Sequence, residues 1–267
     1  MIQYDCAFWN LENLFDEADS PRRTEKLQRT IGSELKGWNR TVLDRKISRL
    51  ASVIGKMNDG EGPDLLGVCE VENRFVLECL VAALEPLSRR YEIAHADTED
   101  RRGIDVAFLY DADLLSAAET FSHYIVKRSA SRDLFQVNFR TAAGRLLIVI
   151  GNHWPSRSGG VYESEPYRIM AAETLAYFHQ RIEDIHGRDA AVLALGDFND
   201  EPHDRSLVEY ALSDRTRKKV TFARTPHFLN LMWQISGRGL GTHYYNNAPS
   251  VLDQFLASRG LLTGNSG

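Results

Sequence analysis

The sequence predicts a mixed α/β (α+β) fold in which two mixed sheets pack together with helices outside, and three observations carry that reading. Strand-like and helix-like segments are intermingled along the 267 residues, and several strand pairs are joined by short turns, which excludes a pure βαβ alternation. Short unbroken apolar runs, DLLGV at 64–68, LLIVI at 146–150 and AAVLAL at 190–195, suit strands buried on both faces. Each of these runs, like the run at 4–9 before them, ends in a cluster of carboxylate, amide or imidazole side chains, a coincidence that unrelated turns do not produce.

Taken in order, residues 2–9 read as the first strand, and residues 16–40, charged and weakly periodic, as a surface loop with one short helix. Residues 41–57 form an amphipathic helix whose apolar stripe is Val42, Ile47, Leu50, Val53, Ile54 and Met57 and whose wet face is Asp44, Arg45, Lys46, Arg49 and Lys56. NDGEGP at 58–63 stops it. A strand at 64–69 and a helix over about 73–86 follow. Strands are expected at 91–96, 104–110, 121–126, 135–140 and 146–150, with AAG at 142–144 as a hairpin turn. Residues 165–185 read as a long helix opening with Pro166, 190–195 as the central strand and 205–211 as a short helix. Strands at 228–233, 243–246 and 251–257 complete the set. No linker composition interrupts the sequence, which predicts one domain over 1–267.

The net charge is −5 and the pI about 5.9. A non-specific duplex binder is usually basic, so a nucleic-acid substrate would be held by a local patch and by metal. Lys and Arg cluster at 21–29 and at 215–219. Cys6, Cys69 and Cys79 lack metal-ligand spacing, and their odd number speaks against a disulfide framework; they read as small buried apolar groups. No apolar run approaches membrane-spanning length, and no signal peptide precedes the first strand, which predicts a cytoplasmic location.

The polar clusters carry the chemistry. Asp197 and Asn199 lie two apart, so in extended geometry they point the same way. A carboxylate beside an amide at a strand's C-terminal end suits a metal or a held water; the same residues also fit an Asx-rich turn. If the four strands are neighbours running the same way, their clusters meet at one mouth.

Six blocks occur in order: WNLENLFD at 9–16, GVCEVEN at 67–73, RRGIDVAFLY at 101–110, NHWPSRSGG at 152–160, LGDFND at 195–200 and VLDQFLAS at 251–258. Together they resemble the endonuclease/exonuclease/phosphatase (DNase I-like) superfamily over residues 4 to about 262, and within it a bacterial group carrying the EVEN, NHWPSR and LDQ blocks. The resemblance implies a four-layer α/β/β/α sandwich and phosphoester hydrolysis dependent on Mg²⁺ (or Mn²⁺), an ion served by one or two hard oxygen ligands and several waters. On that reading Glu70 is the main metal ligand, Asn10 offers an amide oxygen to metal or phosphate, and Glu12 takes a second metal or a salt bridge. Asp197 accepts the proton of the attacking water or holds that water in line, and Asn199 fixes Asp197 or the phosphate. His153 stabilises charge developing on phosphate or leaving oxygen. Asn152, Arg157 and Arg168 are expected on the substrate, guanidinium being suited to bidentate phosphate contact, with Arg102 a further candidate of that kind. Asp105, inside a strand, reads as a structural hydrogen-bond acceptor. Asn10, Glu70, His153, Asp197, Asn199 and Asp253 are expected to converge on one cleft.

In the family the Asp of the VLDQ block orients a histidine in a terminal Ser-Asp-His block. Here nothing after Ser258 is Asp or His. The resemblance therefore implies truncation at the C-terminus relative to the family, with loss of the last strand and of that histidine, and a sheet edge that leaves a monomer or a weak dimer. An imidazole from within the sequence would come from His243 or His203. The leading expectation is a metal-dependent phosphoesterase cleaving phosphodiesters, a nuclease. The alternatives are a phosphatase or phosphodiesterase of a small-molecule or lipid phosphoester, which the acidic pI favours, and a catalytically impaired binding module.

Overall fold

The computed structural model describes residues 3–98, 100, 102–126 and 132–264. Although no linker marks a division, the protein forms two compact units, residues 1–115 with 130–132 and residues 116–129 with 133–267.

The first unit contains β1 (Cys6–Leu14), α1 (Glu25–Ile31), α2 (Arg40–Ile54), β2 (Leu65–Val71), α3 (Arg74–Ala83), β3 (Tyr91–His95) and β4 (Asp105–Asp111). The sheet order is β1-β2-β4-β3, with β1 and β2 parallel and the other pairs antiparallel. Asn39 and Asn73 start α2 and α3 by accepting the N–H groups of Val42 and Val76. α2 buries Leu43, Ile47, Leu50 and Ile54, and α3 buries Val76, Leu77 and Leu80, in one cluster with Leu66, Val68, Ala107 and Leu109 of the strands. The period-two spacing of those strand residues puts them on one face of the sheet. The apolar stripe of α2 is rotated from the expected one: Leu43 replaces Val42 in the core, and Val53 is exposed.

Residues 16–40 are not simply a surface loop. Phe15, Ile31, Leu35 and Ile104 form a small core of their own, with Leu27 and Trp38 packed against it. Arg23 is buried in a two-pronged pair with Glu72, its Nε and Nη2 each donating over 2.7 Å.

The second unit contains β5 (Leu115–His123), β6 (Leu134–Thr141), β7 (Leu146–His153), α4 (Val161–His186), β8 (Ala191–Asp197), β9 (Ser213–Asp214), α5 (Arg217–Phe222), β10 (Phe228–Asn230), β11 (His243–Tyr245), β12 (Ala248–Ser250), β13 (Asp253–Ala257) and α6 (Arg259–Thr263). The large sheet runs β5-β6-β7-β8-β13-β10-β9, and β11 and β12 form a separate hairpin. α4 starts earlier than the sequence suggests and carries Pro166 inside it; Ala171, Ala172, Leu175 and Ile182 pack in one cluster with Ile148, Ile150, Val192, Ala194 and Leu256. The strand expected at 121–126 lies earlier, at Leu115–His123, and the helix expected at 205–211 is a π-helical turn over Ser206–Tyr210. The strand expected to reach 233 stops at Asn230, whose side chain accepts the Met232 N–H and opens a 3₁₀ turn.

β8 lies between β7, to which it is parallel, and β13, to which it is antiparallel. Gly196 makes that central position possible. Its φ is +147°, and a Cβ there would stand 2.0 Å from the Asn152 carbonyl oxygen. No helix among the described residues is long and apolar enough to cross a membrane.

Candidate active site

In the first unit the parallel pairing of β1 and β2 sets their polar ends side by side, with Asn10 opposite Cys69. The ladder slips between Asn10 and Leu14 on one side of β2 and between Cys69 and Val71 on the other. Glu70 sits in this irregularity with φ +61°, and Glu12 and Asn13 also have left-handed backbones, at +51° and +61°. Such values are uncommon outside glycine, and a bulge re-aims the side chain it carries. The Glu70 carboxylate is fixed from β1: Oε1 accepts Asn10 Nδ2 at 3.2 Å and Oε2 accepts the Asn13 N–H at 2.9 Å. Asn10 thus turns its amide nitrogen to Glu70, while its Oδ1 accepts the Glu12 N–H at 2.9 Å. The Glu12 side chain is exposed. Lys46, expected on the wet face of α2, instead donates from Nζ to the Glu12 carbonyl at 2.6 Å. Burial lowers its pKa against the raising pull of Glu12 and Glu70. The preset Glu70 carboxylate is a hard oxygen donor that fits a Mg²⁺-type cation, while the Asn10 amide, its nitrogen on Glu70 and its oxygen on the Glu12 N–H, orients that carboxylate.

In the second unit β8 ends in Asp197, which is in register with His153 of β7 and with Asp253 of β13. Registered partners project from the same face of a sheet, so these three side chains form one row across three strands. Asp197 Oδ1 accepts the Asn199 N–H at 2.9 Å, Asn199 has φ +51°, and its Nδ2 donates to the Trp154 carbonyl at 3.1 Å. Asp253 is anchored by Thr242, whose Oγ1 accepts the N–H groups of Leu252 and Asp253 at 3.1 and 3.0 Å. Burial, and then the charge of Asp197, pushes the Asp253 carboxyl up to about 7.

That shift has a definite sign. In the unfolded state Asp253 loses its proton near 3.8, whereas the folded protein keeps it until about 7. Between those values the native state binds the extra proton, so its stability falls as pH rises through the window and levels off above it. Thermal melts of the metal-free protein and of Asp253→Asn should therefore agree near pH 4, diverge in favour of the variant up to about pH 7, and run parallel beyond. Curves that stay parallel throughout would refute the assignment.

Several expected substrate groups have protein partners. Asn152, fully buried, donates from Nδ2 to the carbonyls of Ile150 and Leu195, and its Oδ1 accepts Trp154 Nε1 at 3.0 Å, so it ties β7 to β8. Arg157 donates to the Asn199 carbonyl at 2.6 Å, to Asp200 at 2.9 Å and to Asp204. Arg168 is 1% exposed; its Nε lies 2.7 Å from Asp200 Oδ1, an ion pair without hydrogen-bond alignment, and its Nη1 and Nη2 donate to Ser164 Oγ and the Val161 carbonyl. Both guanidiniums hold the loop after Asp197. Arg102 donates to Asn13 Oδ1 at 2.7 Å and to Glu34. Asp105 is the structural acceptor expected, taking the Thr98 N–H and hydroxyl on Oδ1. With His95 and Asp97 it also makes a set of ligand atoms within 4.8 Å of one another that could hold a cation.

Sequence reasoning did not single out Asp200 or Thr242, and it left Gln254 without a role. Gln254 is fully buried and clamps the loop, donating to the carbonyls of Asp200 and Val251 and accepting from Asn230 Nδ2. The signal for Asp200 was its place in the GDFND block; nothing in the sequence marked Thr242.

The protein belongs to the endonuclease/exonuclease/phosphatase family, whose model matches residues 5–267. The family's enzymes are hydrolases of phosphoester bonds and generally use a divalent metal. Among solved structures, an endonuclease/exonuclease/phosphatase family protein from Bacteroides thetaiotaomicron is 15% identical over 96% of this protein and 83% of its own length, with a TM-score of 0.59. A mannosyl-6-phosphatase from the same organism is 13% identical over 96% and 85%, also at 0.59. The human Nocturnin catalytic domain, which holds a sulfate anion, is 16% identical over 92% and 80%, at 0.52. These likenesses establish the fold alone, a DNase I-like mixed α/β fold with two large mixed sheets and helices. A search of curated proteins finds no match.

Proposed function

We propose that this protein is a divalent-metal-dependent phosphodiesterase acting on nucleic acid. The observation that supports it most directly is the row of His153, Asp197 and Asp253 across three strands, with Asn199 fixing Asp197. Asp197 takes the proton of a water whose oxygen bonds to phosphorus as the bond to the leaving oxygen breaks. The Asn199 N–H holds one carboxylate oxygen and so sets the orientation of the other. His153 donates to charge developing on a phosphate or leaving oxygen. Asp253, protonated below about pH 7, keeps Asp197 from facing a second charge. Arg157, Arg168 and Gln254 are positioning residues that hold the Asp197–Asp200 loop. In the first unit Glu70 would hold Mg²⁺ or Mn²⁺, with Asn10 orienting it and Glu12 a further oxygen donor. The chemistry a cation supplies when bound there is neutralisation of phosphate charge.

The direct test is release of p-nitrophenol from bis-p-nitrophenyl phosphate, and of fragments from an oligonucleotide, at saturating Mg²⁺ and Mn²⁺. No turnover of either substrate ends the reading. Cleavage of a small phosphomonoester in preference to both would favour a phosphatase, which the net charge of −5 also supports. Glu70→Gln should remove most Mn²⁺ binding seen by calorimetry; unchanged affinity would move the ligand elsewhere.

A further inference from the structure

From Arg215 to Leu252 the sequence carries six cations, Arg215, Arg217, Lys218, Lys219, Arg224 and Arg238, and no Asp or Glu, in a protein of net charge −5. The same stretch turns aromatic rings outward: Phe222 is 75% exposed, Tyr244 57% and Tyr245 72%. Lys219 is paired with Asp214. α5 with Arg224 is held at the end of the sheet opposite Asp197, Arg217 donating to the Leu262 carbonyl and Arg188, just ahead of β8, to that of Ala223. Arg215 and Arg238, by contrast, lie exposed on either side of Trp233 in the sequence.

The placement of this stretch is set by sheet topology. β9 is parallel to β10, β10 antiparallel to β13, and β13 antiparallel to β8, so β9 points toward the end of the sheet where β8 presents Asp197. Arg215 follows β9 directly, and its guanidinium carbon lies 5.7 Å from the centre of the Trp233 ring. The same ring meets His203, from the segment just after Asp200, at 6.3 Å between centres. The β11–β12 hairpin is closed by Asn246 and Asn247, with φ +48° and +62°. A lone two-stranded hairpin is marginal in water. This one is rooted by Thr242, whose N–H donates to the Ser250 carbonyl at 2.9 Å and whose hydroxyl holds the backbone of Asp253. The two exposed tyrosines therefore stand on an arm tied to the strand that carries Asp253.

We propose that Arg215, Arg238 and the β11–β12 hairpin form a binding face for single-stranded nucleic acid that leads to the Asp197–Asp253 row. Resting on the phosphodiesterase reading above, this names the substrate as an unpaired strand. Arg215 and Arg238 would follow the phosphates while Tyr244 and Tyr245 stack on bases, the pairing of charge and rings that holds single strands without sequence preference. Rings on a narrow arm need bases that are out of a duplex stack. An anionic membrane fits less well: an interfacial site lays a continuous apolar helix face into the lipid, and α5 is six residues long.

The test uses the full-length protein with Asp197→Asn, in chelator, and fluorescence anisotropy of a labelled oligothymidylate, the corresponding duplex, and phosphatidylserine vesicles. The single strand should bind more tightly than the duplex. Adding Arg215→Ala with Arg238→Ala should reduce the slope of log affinity against log salt by about 1.4, at about 0.7 per phosphate contact. Adding Tyr244→Ala with Tyr245→Ala should weaken binding about fivefold or more while leaving the slope unchanged. Thermal midpoints equal to the parent's show that both double variants remain folded. Oligothymidylate binding that neither pair alters, or vesicle binding without oligothymidylate binding, overturns the proposal. If the unsubstituted protein hydrolyses bis-p-nitrophenyl phosphate but the oligothymidylate is not bound, only this inference fails. If the strand is bound but nothing is hydrolysed, the phosphodiesterase reading fails and the binding face stands.

Discussion

Asp197→Asn is expected to lower the turnover of bis-p-nitrophenyl phosphate about 10²–10⁴-fold while leaving the fold intact. Asparagine keeps an oxygen at the position that accepts the Asn199 N–H, so the loop geometry survives. What disappears is a base able to accept a proton at neutral pH. The same substitution removes the charge that helps hold the Asp253 carboxyl up near 7, so Asp253 should titrate at lower pH in the variant. Two measurements check this: kcat at saturating metal, and the carboxyl titration of residue 253 followed by NMR. Turnover within a few-fold of the parent would remove Asp197 from the base role.

Arg23→Met should destabilise the protein by about 3–5 kcal/mol, read from the shift of the urea unfolding midpoint. The guanidinium donates to both Glu72 oxygens, to the carbonyls of Asp16, Glu17 and Ala18, and to Gln28 Oε1, and both side chains of the pair are essentially without solvent contact. Methionine fills much of the volume but leaves a buried carboxylate that still accepts only the Asp16 N–H. Breaking one half of such a pair costs more than deleting both, so Arg23→Met with Glu72→Leu should recover a good part of the loss. A double variant as unstable as the single one would show that packing, not charge, decides the site.

The ends of the buried strands were readable because burial and chemistry leave different residue types in sequence. LLGV before Cys69-Glu70 and AVLALG before Asp197 announce a strand that stops where polar groups begin. The same logic misjudged residues 16–40, since a charged segment looks wet whether its charges face water or each other. Arg23 becomes structural only through Glu72, 49 residues away in sequence. The carboxylate partners of Arg157 and Arg168 were hidden for a related reason: a guanidinium suits phosphate and carboxylate equally, and the acceptor, Asp200, was itself in the motif. Lys46 was assigned to solvent by helical period alone, but a lysine stem is long enough to carry its ammonium around to the end of β1.

The left-handed backbones at Glu12, Asn13, Glu70 and Asn199 bear on how this protein can be improved. Non-glycine residues pay roughly 1–2 kcal/mol for that conformation. A procedure that ranks substitutions by foldability would thus put glycine at position 70 near the top of its list and delete the carboxylate that Asn10 and Asn13 are arranged to hold. Thermostabilisation of this scaffold should leave these four positions fixed, and a library selected only for expression or heat resistance will drift toward well-behaved proteins that have lost the reason for their shape.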